Sequence, residues 1–280
     1  MLAERSAVDR PDSTHLVQCY QADETVLVRN AACFLKEGFE RAADVIVIAT
    51  PGHRTAFIRE LKQLGAIAPS GSAQGSLTLL DAADTLARIV VAGEPDPAAF
   101  DKVVGTMIRS AARDGSAVYA YGDMVGELWK AKRYAAAAKL EHLWNMLRAV
   151  VDFDLFCAYP VDMLTEPFEA NAVDALLCSH THLLPSGPNG DLESALCRAF
   201  GEIVGADDML VKRVREFHKP AWASAPDAEA MIIWLRHAMP DRAPAILELA
   251  EQYYRLASLA SGAQEAIEPH AAATREQRLP

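Results

Sequence analysis

The sequence predicts an α/β protein: a mainly parallel sheet with helices on both faces, followed by an all-helical C-terminal region. Three observations carry this. Short apolar, β-branched runs alternate with segments of helical spacing between His15 and Pro160. One run, Val45 to Ile48, passes through the small-residue turn Ala49-Thr50-Pro51-Gly52 into a helical pattern, so DVIVIATPGHRTAFIRE (Asp44 to Glu60) reads as buried strand, tight turn and helix. Beyond PSGPNGD (Pro185 to Asp191), a segment dense in Pro, Gly and Asn, no strand candidate occurs.

The elements follow in order. HLVQCY (His15 to Tyr20) alternates as a short strand, and Glu24 to Phe39 has helical spacing, with Val26, Leu27, Asn30, Ala31, Phe34 and Leu35 on one face and Gly38 near its stop. The strand Val45–Ala49 leads to a helix from about Arg54 to Leu64, closed by Gly65, and SGSAQGS (Ser70 to Ser76) is a loop. LTLLDA (Leu77 to Ala82) is a strand feeding the helix Ala83–Ala92. After the turn at Gly93-Glu94-Pro95, Asp96 and Pro97 supply an N-cap and first helical residue for the helix Ala98–Asp114. AVYAYGDMV (Ala117 to Val125) begins as a strand, Leu128 to Val150 is mostly helical, FDLFCAYP (Phe153 to Pro160) is a further strand, and Asn171 to Leu184 reads as a helix. Leu192–Val204, Ala206–Phe217, Ala228–Met239 and Ala243–Leu259 read as helices. The expected organisation is an α/β domain over 14–185, a helical domain or extension over 191–260, and disordered tails at 1–13 and 261–280.

Bulk properties exclude several classes. A hydrophobic content of 51% over 280 residues supports a sizeable core. The net charge of −11 speaks against direct nucleic-acid binding and against an anionic membrane surface, and KRVRE (Lys212 to Glu216), the best local basic patch, reads first as a solvated helix face. No run of about eighteen apolar residues spans a membrane, and MLAERSAVDRPDST lacks the apolar segment of a secretory signal. Cys19, Cys33, Cys157, Cys178 and Cys197 are odd in number and widely spaced, which suits reduced thiols in a cytoplasmic protein.

The ordered series FLKEGFERAADVIVIATPGHRTAFIRELKQLGA, LTLLDAADTL, FDKVVGTMIR, VYAYGDMVGELW, AAAKLEHLWNML and FDLFCAYP, closed by CSHTHLLP, resembles the MEDS sensory domain, named for methanogens, methylotrophs and the regulator of dichloromethane dehalogenase. The resemblance covers roughly Thr14 to Pro185. It implies a three-layer RecA/KaiC-like fold without a catalytic phosphate loop. It also implies a sensory module of signal transduction and transcription regulation, often joined to histidine kinases, PAS domains or DNA-binding domains, with small organic ligands. Where the family's strand motif has Gly-Glu-Met, this chain has Gly122-Asp123-Met124, and no kinase or helix-turn-helix is legible in it.

Candidate residues cluster at the expected C-terminal ends of strands. A phosphate loop would read G-x-x-x-x-G-K-[ST]; here the turn is PGHRT, with no Lys before a Ser or Thr. Thr50, Gly52, His53 and Arg54 therefore suggest a ligand site with His53 as hydrogen-bonding group and Arg54 as partner of a carboxylate or phosphate. The alternative is that His53 caps its helix. Asp81 at a strand end is a metal-binding carboxylate or the N-cap of the next helix. Asp123 and Glu127, four apart, share a helical face and could hold a cation, act as acid and base, or pair with neighbouring basic residues. Glu141 and Asn145 share a face of LEHLWNML, while Trp144 falls on its apolar stripe. Cys178, His180 and His182 are zinc-type ligands, but residues two apart on a helix diverge, so they converge only in an extended segment. No metal and no cofactor is expected; a nucleotide is possible, with the missing Lys against it.

Function is expected to be non-catalytic sensing: a small ligand bound at the 50–54 turn, the end of the 77–82 strand and the 122–127 turn, with the signal leaving through the helical C-terminal segment to a protein partner or a second copy in a homodimer. The alternatives are a degenerate nucleotide-binding enzyme, with Arg54 for the Lys and Asp81 or Asp123 on Mg²⁺, and an interaction scaffold using apolar positions near Trp222 and Trp234.

Overall fold

The computed structural model describes residues 13–67, 76–165, 177, 179–186, 191–205 and 225–257. By internal contacts the chain divides into two units, Met1–Pro160 with Asn171–Leu184, and Val161–Ala170 with Pro185–Pro280.

The first unit holds a six-stranded sheet. Its strands are β1 (His15–Cys19), β2 (Asp44–Ala49), β3 (Leu77–Asp81), β6 (Val118–Gly122), β7 (Asp154–Tyr159) and β8 (His182–Leu183). They lie in the order β3-β2-β6-β7-β1-β8, and every pairing is parallel. In β2, β6 and β7 nearly every residue is buried, as expected of strands covered on both faces. On one face, α1 (Thr25–Glu40) and α2 (Pro51–Gln63) bury Leu27, Phe34, Leu35, Phe57 and Leu61 against Val45, Val47, Tyr119, Tyr121 and Phe156. The other face carries α3 (Ala82–Ile89), α6 (Met124–Lys130) and α7 (Tyr134–Arg148), with Trp129 edge-on to Tyr159. This is the expected three-layer architecture.

The glycine at 126 lets α6 lie directly on the sheet: a Cβ there would stand 2.6 Å from the Ala158 carbonyl oxygen. Gly38 plays the same part on the opposite face, where a Cβ would stand 2.9 Å from the Tyr119 ring. Gly38 thus lies inside α1 and does not stop it; the chain turns instead at Ala42, with φ of 53°.

Several boundaries differ from expectation. Helix α2 begins at Pro51, because Thr50 caps it and Pro51 suits the first helical position, leaving a single residue between strand and helix. Helix α3 ends at Ile89, and β4 (Val90–Val91) pairs antiparallel with β5 (Glu94–Pro95) across Ala92 and Gly93, both at positive φ. Asp96 caps α4 (Pro97–Phe100) as expected, but the helix passes through a π turn at Asp101–Gly105 before α5 (Thr106–Ala111). The helical stretch after Leu128 is broken between α6 and α7 at Lys132, with φ of 57°. His182–Leu183, expected at the end of a helix, is instead β8, held beside β1. Most of the expected helix before it, like the loop at 70–75, lies outside the described residues.

The second unit is helical among the described residues: α8 (Asp191–Val204), α9 (Asp227–Ala238) and α10 over 243–257. Phe200 of α8 meets Trp234 of α9, and the Arg198 guanidinium stacks 3.8 Å from the Tyr253 ring centroid. Glu229, 1% exposed, accepts the Ser186 amide at 2.7 Å, and burial pushes its carboxyl above the usual range. The expected helix at 206–217, Trp222 and the KRVRE patch lie outside the described residues.

Candidate functional site

Strands β2 and β6 are neighbours, yet α2 leaves β2 for one face of the sheet and α6 leaves β6 for the other. The gap opened by such a reversal, at the C-terminal ends of the strands, is where α/β sheets bind ligands. His53, on the first turn of α2, and Asp123, which follows β6, meet there. The His53 Nδ1 lies 2.7 Å from an Asp123 carboxylate oxygen. The same oxygen accepts the Thr50 amide at 2.8 Å, and the other accepts the Tyr121 hydroxyl at 2.7 Å. The His53 Nε2 faces Glu24 at 3.3 Å, and Tyr20 and Phe57 flank the ring. His53 and Asp123 are buried, at 2% and 3% exposure, whereas the Glu24 side chain is 45% exposed.

Burial opposes a charged imidazole at His53. The Asp123 hydrogen bond and charge, with Glu24 behind them, outweigh burial and raise its pKa above the usual value, against a small opposing effect of Lys130. Asp123 also pushes the buried Tyr121 phenol upward, second to burial itself.

The remaining predicted residues sort around this pair. Thr50 caps α2, its hydroxyl accepting the His53 amide at 3.3 Å. Gly52 is exposed, and a Cβ there would meet nothing within 4 Å. Arg54 donates to Asp81 at 2.8 Å, and the other Asp81 oxygen caps α3 by accepting the Ala83 and Asp84 amides, so Asp81 takes the capping alternative. Glu127 pairs with Lys130 at 3.1 Å, nearer solvent than Asp123.

Cys178 lies outside the described residues. His180 is buried while His182 is exposed and bonded to the Thr181 hydroxyl, so these two do not converge. His180 instead joins a group on the α6–α7 face whose convergence the sequence did not reveal: His15 of β1, Glu141 of α7 and Cys157 of β7, all buried. The Glu141 carboxylate lies 3.6 Å from His15 Nε2 and 3.4 Å from His180 Nε2, and it accepts the Tyr159 hydroxyl at 2.5 Å. Burial, then His180 and Arg148, drive the His15 pKa down to about 3, with Glu141 opposing. Burial works against the Glu141 carboxylate, but His180 and then His15 hold its pKa well below the usual range. The available signals were Glu141 and Asn145 on one face of α7 and a histidine opening an apolar strand; what lay opposite them was not legible.

At the opposite, N-terminal edge of the sheet, Leu16, Phe34, Arg41, Tyr119, Phe153 and Asp154 help to line a cavity of about 520 Å³. It contains neither histidine site. Among the described residues no helix is long and apolar enough to cross a membrane.

Compared with known families, residues 14–181 match the model described as the methanogen/methylotroph, DcmR sensory domain. Neither the curated proteins nor the solved structures compared include a match. The match spans well over half of the 280 residues and ends one residue past His180. The chain belongs to the MEDS family of sensory domains.

Proposed function

We propose that this chain is a non-catalytic cytoplasmic sensor that binds a small organic ligand at the β2/β6 edge and signals through its helical C-terminal region to a protein partner or a second copy of itself. The observation that carries the reading is the His53–Asp123 pair at the point where the helices leave neighbouring strands for opposite faces. Asp123 fixes one imidazole nitrogen, while the other faces Glu24, an exposed and displaceable partner. A ligand with a hydroxyl or other hydrogen-bonding head would replace Glu24 at Nε2. Sensing then requires that the ligand bind one of two states of the chain more tightly.

The same geometry speaks against a nucleotide phosphate. The Thr50 amide already bonds a buried carboxylate, the His53 amide is taken by the Thr50 hydroxyl, and Arg54 is paired with Asp81. A phosphate would have to displace Asp123 or lie beside it, against like-charge repulsion. No metal or cofactor enters this reading.

The test is thermal shift of the full chain with a panel of small alcohols, amines and halocarbons, and with Mg²⁺-ATP. A compound that raises the melting temperature of the wild type and not of His53→Gln supports the β2/β6 site. Stabilisation by Mg²⁺-ATP alone overturns it. The cavity at the other edge favours a second location for the ligand. A shift that persists in His53→Gln and disappears in Leu16→Trp, which enlarges a side chain lining that cavity, moves the sensor site there.

A further inference from the structure

We propose that His15, Glu141, Cys157 and His180 form a zinc site inside the sensory domain, a reading independent of the ligand pocket. The four residues come from four places: the start of β1, the buried face of α7, the middle of β7 and the segment before β8. Their ligand atoms already lie within 4.8 Å of one another. His15 Nε2 is 3.6 Å from Glu141 Oε2 and 3.5 Å from Cys157 Sγ, Cys157 Sγ is 3.9 Å from Glu141 Oε2, and His180 Nε2 is 3.4 Å from Glu141 Oε1. Zinc bonds of about 2.0–2.3 Å set tetrahedral edges of roughly 3.3–3.7 Å. The three separations among His15 Nε2, Glu141 Oε2 and Cys157 Sγ, 3.5–3.9 Å, are close to those edges, and His180 Nε2, within 4.8 Å of the set, completes it by rotating toward the ion.

The surrounding contacts orient the ligands. His15 Nδ1 faces two acceptors, the Ser179 carbonyl at 3.0 Å and the Asn145 side-chain oxygen at 3.1 Å, which places its proton on Nδ1 and leaves the Nε2 lone pair toward the cluster. Asn145 is itself held by donating to the Ser179 carbonyl at 3.1 Å. The Ser179 hydroxyl engages His180 Nδ1 at 2.9 Å and so steers that ring by its far nitrogen. Tyr159 holds one Glu141 oxygen and leaves the other facing Cys157 and His15.

The charges also balance. A carboxylate, a thiolate and two neutral imidazoles neutralise a divalent ion, so the buried complex carries no net charge. Two nitrogens, one sulfur and one oxygen suit zinc and not magnesium or calcium. Four protein ligands leave no open position, which makes this a structural clamp joining β1, β7, α7 and the chain before β8. On binding, the Cys157 S–H bond breaks, sulfur donates its pair to zinc and the proton leaves to solvent.

The test is metal analysis of the full chain, grown with zinc and desalted, and of the chain refolded with zinc or cobalt. Expected are one zinc per chain, retained in His182→Ala and His53→Gln and reduced to trace levels in Cys157→Ser and Glu141→Gln, both close to isosteric. The refolded cobalt form of the wild type is expected to show a sulfur-to-cobalt charge-transfer band in the near ultraviolet, a reading that requires no variant. Wild type without stoichiometric zinc after both preparations overturns the site, as does zinc retained in the Cys157→Ser, His15→Ala double variant or a cobalt form without a sulfur band.

Discussion

His53 and His15 are both buried, both in the first unit and both within reach of a buried carboxylate, yet their surroundings drive them in opposite directions. At His53, Asp123 makes a direct hydrogen bond of 2.7 Å and Glu24 adds a second negative charge, so the imidazolium is favoured despite burial. At His15 the nearest carboxylate stands 3.6 Å away, the His180 ring lies 4.0 Å off centroid to centroid, and Arg148 adds positive charge, so the neutral ring is favoured. Burial alone therefore does not decide a histidine's charge. A carboxylate in hydrogen-bond contact outweighs desolvation at one site, and a cationic neighbourhood reinforces it at the other. The first arrangement suits exchange of hydrogen bonds with a ligand, and the second suits donation of a lone pair.

The largest effect should come from the inner cluster. Glu141→Ala takes the shared acceptor from two buried histidines and a buried tyrosine hydroxyl and opens a cavity, and should cost about 2–5 kcal/mol in urea unfolding. A cost below about 1 kcal/mol would show that the cluster is held by the surrounding packing and not by Glu141. Asp123→Ala strips an acceptor from His53, Tyr121 and the Thr50 amide, and should cost about 1–3 kcal/mol. If it costs more than Glu141→Ala, the order of the two sites is reversed.

A backbone comparison tests how tightly each neighbourhood is built. Gly126→Ala on α6 drives a methyl against the Ala158 carbonyl and should cost about 1–3 kcal/mol. Gly52→Ala beside His53 meets nothing and should change stability by no more than about 0.5–1 kcal/mol, in the stabilising direction. Equal losses in the two variants, measured by chemical denaturation, would mean that the turn at 50–53 is as tightly packed as the helix–sheet contact.

The most local effect is the pH response of His53. Its folded pKa is raised, so its stabilising contribution is complete below the unfolded value of about 6.5 and is lost as pH rises through the folded value. The groups acting on it are Asp123, Glu24 and Lys130, with the Tyr20 ring beside it. Unfolding free energy should fall across that window by at most about 1.4 kcal/mol per pH unit, and His53→Gln should flatten the fall. An unchanged slope in the variant would assign the response to another group.

Much of the first unit was legible locally. Continuous apolar runs mark β2, β6 and β7, because a strand covered on both faces buries nearly every residue, and recurrence every three or four residues marks α2. Capping was readable at Asp96-Pro97, and at Thr50-Pro51 once the helix is started one turn earlier than its apolar pattern suggests. The β4–β5 hairpin was missed because Ala92, an alanine at positive φ, carries no turn signal of its own. The metal-type ligands at 178–182 drew attention to each other as sequence neighbours, although His180 and His182 part in space.

By itself the sequence determined the central strands β1, β2, β3, β6 and β7 and the helices between them in outline, that the sheet is mainly parallel and covered on both faces, and that strand ends carry His53, Arg54, Asp81 and Asp123. Only the tertiary structure decided which of these meet. Asp123 stands 70 residues from His53, and Cys157 stands 142 from His15. Parallel strands are joined by crossovers, so spatial neighbours in the sheet are remote in the chain, and their pairing depends on strand order and on the face each helix takes. Local periodicity carries neither, whereas packing the two apolar faces of one sheet settles both.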